Sequence, residues 1–300
     1  MFRNTTTFCF WVLGFFCLAP SLLSQEKEKP EAAQSYDATD RLFKRIVSNL
    51  RANADLQTIV DIDHSRLAAK AGSKMPPAHV VIWSDAKLEA QIIKLKQLAA
   101  IDLPLRTLAY TDSNTKDAKV IFNSYDYLAN RHRIPRNDKL KRAYEEATAQ
   151  SLKGIDKNLI AKFPTDQMKN SGLITLESPF DFAETEKRVV AAIKAQSDAV
   201  IFGKVDFASR SKKQGVQLRP TTLHLFGGPG PGGKAMANAP TLGLDAFCQK
   251  LLVWEDSAGK THVTFNNLLA LAKRQGVKVN LPLRIINQRL SVTFKKALER

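Results

Sequence analysis

The feature that most constrains this chain is an internal repeat with a single offset. Shifting the numbering by 143 lays Lys44-Arg45 on Lys187-Arg188, Asp55 on Asp198, Asp63 on Asp206, Gly72 on Gly215 and Pro77 on Pro220. Further on, Asp102 meets Asp245, Phe122-Asn123 meets Phe265-Asn266, and Ala129 and Arg131 meet Ala272 and Arg274. A unit of this length folds around its own core, unlike the short units of a solenoid. The chain therefore reads as a tandem duplication, in which retention between copies is visible without any relative.

The N-terminus reads as a targeting segment. Arg3 is followed by an apolar run from Phe8 to Leu23, a cleavage-like Ser21-Leu-Leu-Ser24, and a charged, Pro-bearing stretch from Gln25. That is the pattern of a secretory signal peptide over residues 1–24, with a polar linker at 25–34. A retained membrane anchor is the alternative, although the run of about 16 residues is short of the ~20 that a span needs. No other segment is apolar enough to span a bilayer. Cys9 and Cys17 leave with the leader, so only Cys248 remains and no internal disulfide forms. The expected localisation is secreted or periplasmic. The net charge of +16 would favour polyanions. Its Lys and Arg are scattered, however, with no interleaved aromatics, so no specific nucleic-acid surface is expected.

Element signals follow the same order in both copies. The first repeat (35–155) opens with a helix carrying Leu42, Phe43, Ile46, Val47 and Leu50, capped by Asp37. Strands at Thr58–Ile62, His79–Trp83, Thr107–Tyr110 and Lys119–Phe122 follow, then a helix over Lys139–Leu152. Pro30-Glu-Ala-Ala-Gln34 has no strand pattern, so this copy lacks its first strand or another segment fills the place. A polar connector spans 156–171. The second repeat (172–300) has a strand at Leu173–Glu177 and a helix begun by Asp181 with Glu184 three residues on, a capping box. Strands at Val200–Phe207 and Thr221–Phe226 lead into a Gly/Pro loop. Strands at Lys250–Trp254 and His262–Phe265 follow, then a helix capped by Asn266 or Asn267 and stopped by Gly276, and a last helix over Leu281–Leu298. Sequential strands with helices between and after them imply an α+β fold: two tandem β-α-β-β-β-β-α domains, each an antiparallel sheet with helices packed on one face.

Ile62-Asp-His64, Leu103-Pro-Leu-Arg106, Phe226-Gly-Gly-Pro229 with Gly233, Leu252-Val-Trp-Glu-Asp256 and Phe265-Asn266 resemble motifs of the family called domain of unknown function 302. The resemblance covers roughly 36–134 and 178–277. It implies an α+β sandwich like that of the TATA-binding protein, and it implies no activity. The copies depart from the pattern in complementary ways. Asp63-His64 has become Asp206-Phe207 in the second copy. The Gly/Pro loop is replaced by Ser84-Asp-Ala-Lys-Leu-Glu89 in the first. Leu-Pro-Leu-Arg106 faces Ala246-Phe-Cys-Gln249, with one extra residue before Trp254. A composite site between the copies, or none, fits this division better than two independent sites.

The candidate ligand-binding residues are Asp63, His64, Arg106, Gly227, Gly228, Gly230, Gly232, Gly233 and Lys234. Gly228-Pro-Gly-Pro-Gly-Gly-Lys234-Ala235 approaches a phosphate-binding loop, but Ala235 lacks the metal-holding hydroxyl and two prolines remove N–H donors. A looser anion loop and a structural turn stay open. His64 beside Asp63 reads as an acid/base pair or as a capping Asp followed by a buried His. None of the five histidines has a His or Cys partner at metal spacing, so no metal and no cofactor is expected. Asn123 and Asn266 read first as helix caps. No catalytic residue is assigned. The function expected is an exported, non-catalytic ligand-binding or scaffolding protein whose copies pack as a pseudo-dimer. An enzyme with a single or composite site and a polyanion-binding envelope protein are the alternatives.

Overall fold

The computed structural model describes residues 35–164 and 169–300. The leader, the linker and Pro30–Gln34 lie outside the described residues. The first repeat runs α1 (Asp37–Arg51), β1 (Gln57–Asp63), α2 (His64–Lys70), β2 (Ala78–Ser84), α3 (Ala86–Leu95), a 3-10 turn (Gln97–Asp102), β3 (Leu105–Thr111), β4 (Ala118–Phe122), α4 (Tyr125–His132) and α5 (Asp138–Ser151). The second runs β5 (Leu173–Glu177), α6 (Phe182–Lys194), β6 (Val200–Asp206), α7 (Phe207–Lys212), β7 (Thr221–Gly227), α8 (Pro229–Met236), a 3-10 turn (Pro240–Gly243), β8 (Gln249–Glu255), β9 (Thr261–Asn266), α9 (Leu268–Arg274) and α10 (Leu281–Ala297). The fold is α+β, with two antiparallel sheets of order β1-β2-β3-β4 and β5-β9-β8-β7-β6. The offset read from the sequence superimposes β1 on β6 and β2 on β7 residue for residue. It even reproduces one bulge, between Thr58 and Val60 and between Ile201 and Gly203.

Local chemistry sets most boundaries. Asp63 and Asp206 accept the backbone N–H of Arg66 and Ser209 and so start α2 and α7. Asp181 accepts the N–H of Glu184, and each such cap is worth ~1 kcal/mol. Gly72 and Gly215 close those short helices at φ +73°, a conformation that costs glycine nothing. Three expectations are corrected. Tyr36, not Asp37, precedes α1, and it makes no side-chain cap. Ser124 and Asn267 cap α4 and α9, so Asn123 and Asn266 are released for other contacts. The Gly/Pro loop after β7 is helix α8, with Gly228 at its N-cap and Pro229 in its first turn, where a missing N–H costs nothing. In the connector, Asp156 caps a short turn and Ala161 N–H donates to Val120 O at 2.8 Å. Ile160 thereby bridges parallel to Val120, on the edge of β4 that β5 occupies beside β9 in the second repeat.

The repeats share one compact unit. Each sheet has two occupied faces. In the first, His79 stacks on Phe43 of α1, and Thr111 bonds Thr39 of α1 at 2.9 Å. Arg106 and Leu108, on the other face, meet Leu244 and Gly243 of the second repeat. The exchange is reciprocal: the turn Pro240–Gly243 lies on β2 and β3, and the turn Gln97–Asp102 lies on β7 and β8. Helix α2 likewise packs on α8 and α3 on α7. This explains why β2 and β7 are buried along nearly their whole length rather than alternately.

Candidate functional site

Three of the pairs retained in both copies, Asp102/Asp245, Asn123/Asn266 and Arg131/Arg274, converge where the repeats meet. Asp102, at the end of its turn, accepts two hydrogen bonds from Arg131 Nη1 of α4, at 2.7 and 2.9 Å. It also bonds His132 Nε2 at 2.6 Å and accepts from Lys250 Nζ of β8 at 2.9 Å. Arg131 reaches on to Asn266 Oδ1 of the second repeat at 2.6 Å. In the counterpart set, Asp245 accepts from Arg274 Nη1 at 3.2 Å and from Asn123 Nδ2 of the first repeat at 2.8 Å. Tyr127 stands between the sets: its hydroxyl accepts from Arg131 Nη1, and Arg274 Cζ lies 3.5 Å from its ring centroid. Burial alone would raise the Asp102 carboxyl, but Arg131, Lys250 and His132 hold it well below the carboxylate range. Burial pushes Lys250 and His132 down, with Asp102 opposing in both cases.

Sequence reasoning singled out the pairs Asp102/Asp245, Asn123/Asn266 and Arg131/Arg274 as retained and gave them no shared place. Lys250 escaped it altogether. The extra residue ahead of β8 moves the offset by one there, so Arg106 corresponds to Lys250 rather than to Gln249, as the pairings Ile82↔Arg106 and Leu225↔Lys250 show. Both cations point across the junction: Lys250 to Asp102, and Arg106 Nη1 to the carbonyls of Leu244 (3.4 Å) and Cys248 (3.3 Å).

The motif residues kept by only one copy meet as well. His64 is buried, with Nε2 3.0 Å from Gly243 O, and burial takes its pKa down to about 4. It lines a cavity of about 20 Å³ with Gly227, Gly228, Gly232 and Cys248, room for one water. Burial pushes the Cys248 thiol up to about 11, which leaves it a protonated, unreactive hydrophobe. A Cβ on Gly233 would lie 2.5 Å from Ala68 Cβ, and Ser73 Oγ donates to Gly230 O at 2.8 Å. The glycines therefore serve the approach of α8 to α2. Asp63 caps α2 and pairs with Arg66, so it does not reach His64 as an acid/base partner. Lys234 is exposed on α8, in a groove with Pro231, Pro282 and Arg289. His64 and Lys234 do not converge on a carboxylate.

At the opposite end of the junction, α7 packs on α3. Arg210 Nη2 donates to Ser84 Oγ at 2.7 Å, and Ser84 Oγ bonds Glu89 Oε2 at 2.7 Å. Burial drives the Glu89 carboxyl up to about 8, with Ser84 and Arg210 opposing.

An open cleft of about 580 Å³ adjoins the polar cluster. Tyr110 and Lys119 line it from the first repeat, Lys162 and Phe163 from the connector, and Gln275 and Lys278 from the second repeat. Arg274, whose Cζ lies 5.4 Å from the Phe163 ring centroid, joins the cleft to the cluster. Lys119 pairs with Asp112 at 3.4 Å, while Lys162 and Lys278 are exposed. Among the described residues no helix is long and apolar enough to cross a membrane.

The family model described as Domain of unknown function DUF302 matches this chain twice, over residues 32–153 and 174–296. A stretch of 114 residues is 39% identical to proteins named Fluoride-specific ion channel FluC 1 from Brucella suis biovar 1 and Brucella abortus biovar 1. It covers 38% of this chain, and 44% and 42% of those proteins. The chain thus spans less than half the length of these relatives. Among solved structures, the uncharacterized conserved protein DUF302 from Bacillus stearothermophilus is similar at 15% identity and a TM-score of 0.36, over 42% of this chain and 95% of that one.

Proposed function

Since the chain belongs to the DUF302 family through both of its repeats, we propose that its shared motifs build the junction between repeats, and that the protein is an exported, non-catalytic binding protein taking a small anionic molecule in the adjoining cleft. The carrying observation is the cleft itself: exposed Lys162 of the connector and Lys278 of the second repeat line it, with Asp112-paired Lys119 of the first repeat, beside aromatic Tyr110 and Phe163. A ligand there would touch both copies, so binding would require them to be packed together. Export rests on the leader pattern at residues 1–24. The small cavity at His64, Gly228 and Gly232 has room for a water-sized species only, too tight for a citrate- or nucleotide-sized ligand, which favours the junction reading of those residues over an active site.

The test is a thermal-shift panel of inorganic phosphate, citrate, nucleoside monophosphates and sodium fluoride on the purified protein. Fluoride enters because the Brucella relatives are named as fluoride channels, although they match over less than half their length. A probe at about 100 times its Kd adds ~2.7 kcal/mol of stability. Lys162→Ala/Lys278→Ala should remove the shift. A panel without any shift, or a shift that ignores these two lysines, overturns the cleft assignment.

A further inference from the structure

The first repeat carries a second cluster, on the face of its sheet turned away from the other repeat. Asp40 comes from α1, Asp63 from the end of β1 and His79 from β2. One ligand atom of each lies within 4.8 Å of the others. The His79 ring is fixed by stacking on Phe43, with centroids 3.3 Å apart and planes 8° apart. Both ring nitrogens are closed off from solvent, and neither makes a hydrogen bond. His79 Nε2 lies 3.7 Å from Asp61 Oδ1, outside the cluster, and Nδ1 lies 3.9 Å from Asp63 Oδ2. The Nδ1–Asp63 separation is too long for a hydrogen bond and suits two ligands facing one cation.

We propose that Asp40, Asp63 and His79 form a site for a divalent first-row transition-metal ion, whose place the Arg66 guanidinium takes in this structure. One imidazole with two carboxylates suits Zn²⁺, Mn²⁺ or Co²⁺. Ligand atoms around such an ion lie at most about 4.4 Å apart, twice a bond of ~2.0–2.2 Å. The observed spread closes with small side-chain movements. Arg66 supplies the positive charge meanwhile: it donates to Asp40 Oδ1 at 3.1 Å, to Asp40 Oδ2 at 2.8 Å and to Asp63 Oδ2. Its side chain is 45% exposed and lies over the Tyr36 ring at 4.3 Å, so an incoming ion would displace it toward solvent. The hydrogen bond from Arg66 holds Asp40 below the usual carboxylate range, and burial pushes the His79 imidazole down. Burial opposes ionisation of Asp63, but the Arg66 N–H and Ser65 hydroxyl outweigh it. The second repeat places Ala183, Asp206, Thr222 and Ser209 at the corresponding positions, so the site belongs to one copy.

Isothermal titration of EDTA-stripped protein with ZnCl₂, backed by CoCl₂ absorption, tests this. One ion should bind per chain. Asp40→Asn and His79→Gln should each weaken binding by more than the ~10-fold that loss of an outer-shell partner brings. Arg66→Ala should tighten it, because it removes the competitor. His262→Gln, which alters the half-buried pair with Asp256 in the second repeat, should leave binding unchanged. Absence of binding in both wild type and Arg66→Ala overturns the proposal. So does binding that survives Asp40→Asn, a surface change on α1 that leaves the fold intact.

Discussion

Gly233→Ala separates packing from helix propensity at the junction. In an ordinary helix this change stabilises by about 1 kcal/mol, because alanine loses less backbone entropy. Here the new methyl would sit 2.5 Å from Ala68 Cβ and 3.0 Å from Ser73 Cβ, where carbon atoms normally stop at about 3.5–4.0 Å. Neither helix can retreat freely. Helix α8 is tied to the N-cap of α10 by Asn280 Nδ2 donating to Ala235 O at 2.9 Å, and Ala68 is fully buried. Overpacking costs about 1–3 kcal/mol, and a 2.5 Å contact belongs at the upper end, about 2–3 kcal/mol, so the net expectation is a loss of about 1–2 kcal/mol after the propensity gain. Gly230→Ala is the control in the same helix. Its methyl meets nothing nearer than 3.5 Å, so it should be neutral or gain about 0.5–1 kcal/mol. Equilibrium urea unfolding followed by circular dichroism gives the energies. Ala68→Gly should recover much of the Gly233→Ala loss, with a coupling above the ~0.3–0.5 kcal/mol scatter of independent sites. Gly233→Ala as stable as wild type, or additive with Ala68→Gly, would refute the close approach.

Two further outcomes follow from the buried charges. Burial pushes the Glu89 carboxyl from its ordinary 4.5 up to about 8, so the folded state holds the proton longer than the unfolded chain. Its contribution is complete below about 4.5 and is lost as pH rises toward 8, by at most about 1.4 kcal/mol per unit. Glu89→Gln should match wild type near pH 5 and exceed it at pH 9 in urea midpoint, and a pH-independent difference would sink the assignment. Asp102→Asn should cost about 3–5 kcal/mol by leaving buried cations unpaired. Asp245→Asn should cost less, because its Lys250 contact is 3.6 Å against 2.9 Å for Asp102; equal losses in paired denaturation curves would contradict this.

The strands, the long helices and most of their ends were legible because they depend on neighbours in sequence: apolar spacing, an Asp three residues before a free N–H, a Gly at positive φ. The junction was not. Asp102 and Arg131 are 29 residues apart, and Arg131 and Asn266 are 135 apart, distances that carry no periodic signature. Repetition marked these residues as kept and could not say that they met. The reading of Gly228–Lys234 as a loop failed for a related reason. Glycines disfavour an isolated helix, but here they let α8 settle against Ala68 and Ala71, and tertiary contact outweighs local preference. Lys250 was hidden by a one-residue insertion, which only strand pairing resolves.

The two ends of the junction show what joining the copies in one chain permits. In a two-fold dimer of identical subunits every interface residue must serve in two equivalent places at once. In this chain Gly230 and Gly233 meet α2 at one end, while Lys87 and Ala90 hold the corresponding positions of α3 at the other, beside Glu89, Ser84 and Arg210. One end has become a close glycine contact and the other a buried polar relay. Two separate copies of a single gene product could not adopt both solutions, since each substitution would appear at both ends. Covalent linkage has thus turned one shared surface into two that mutate independently.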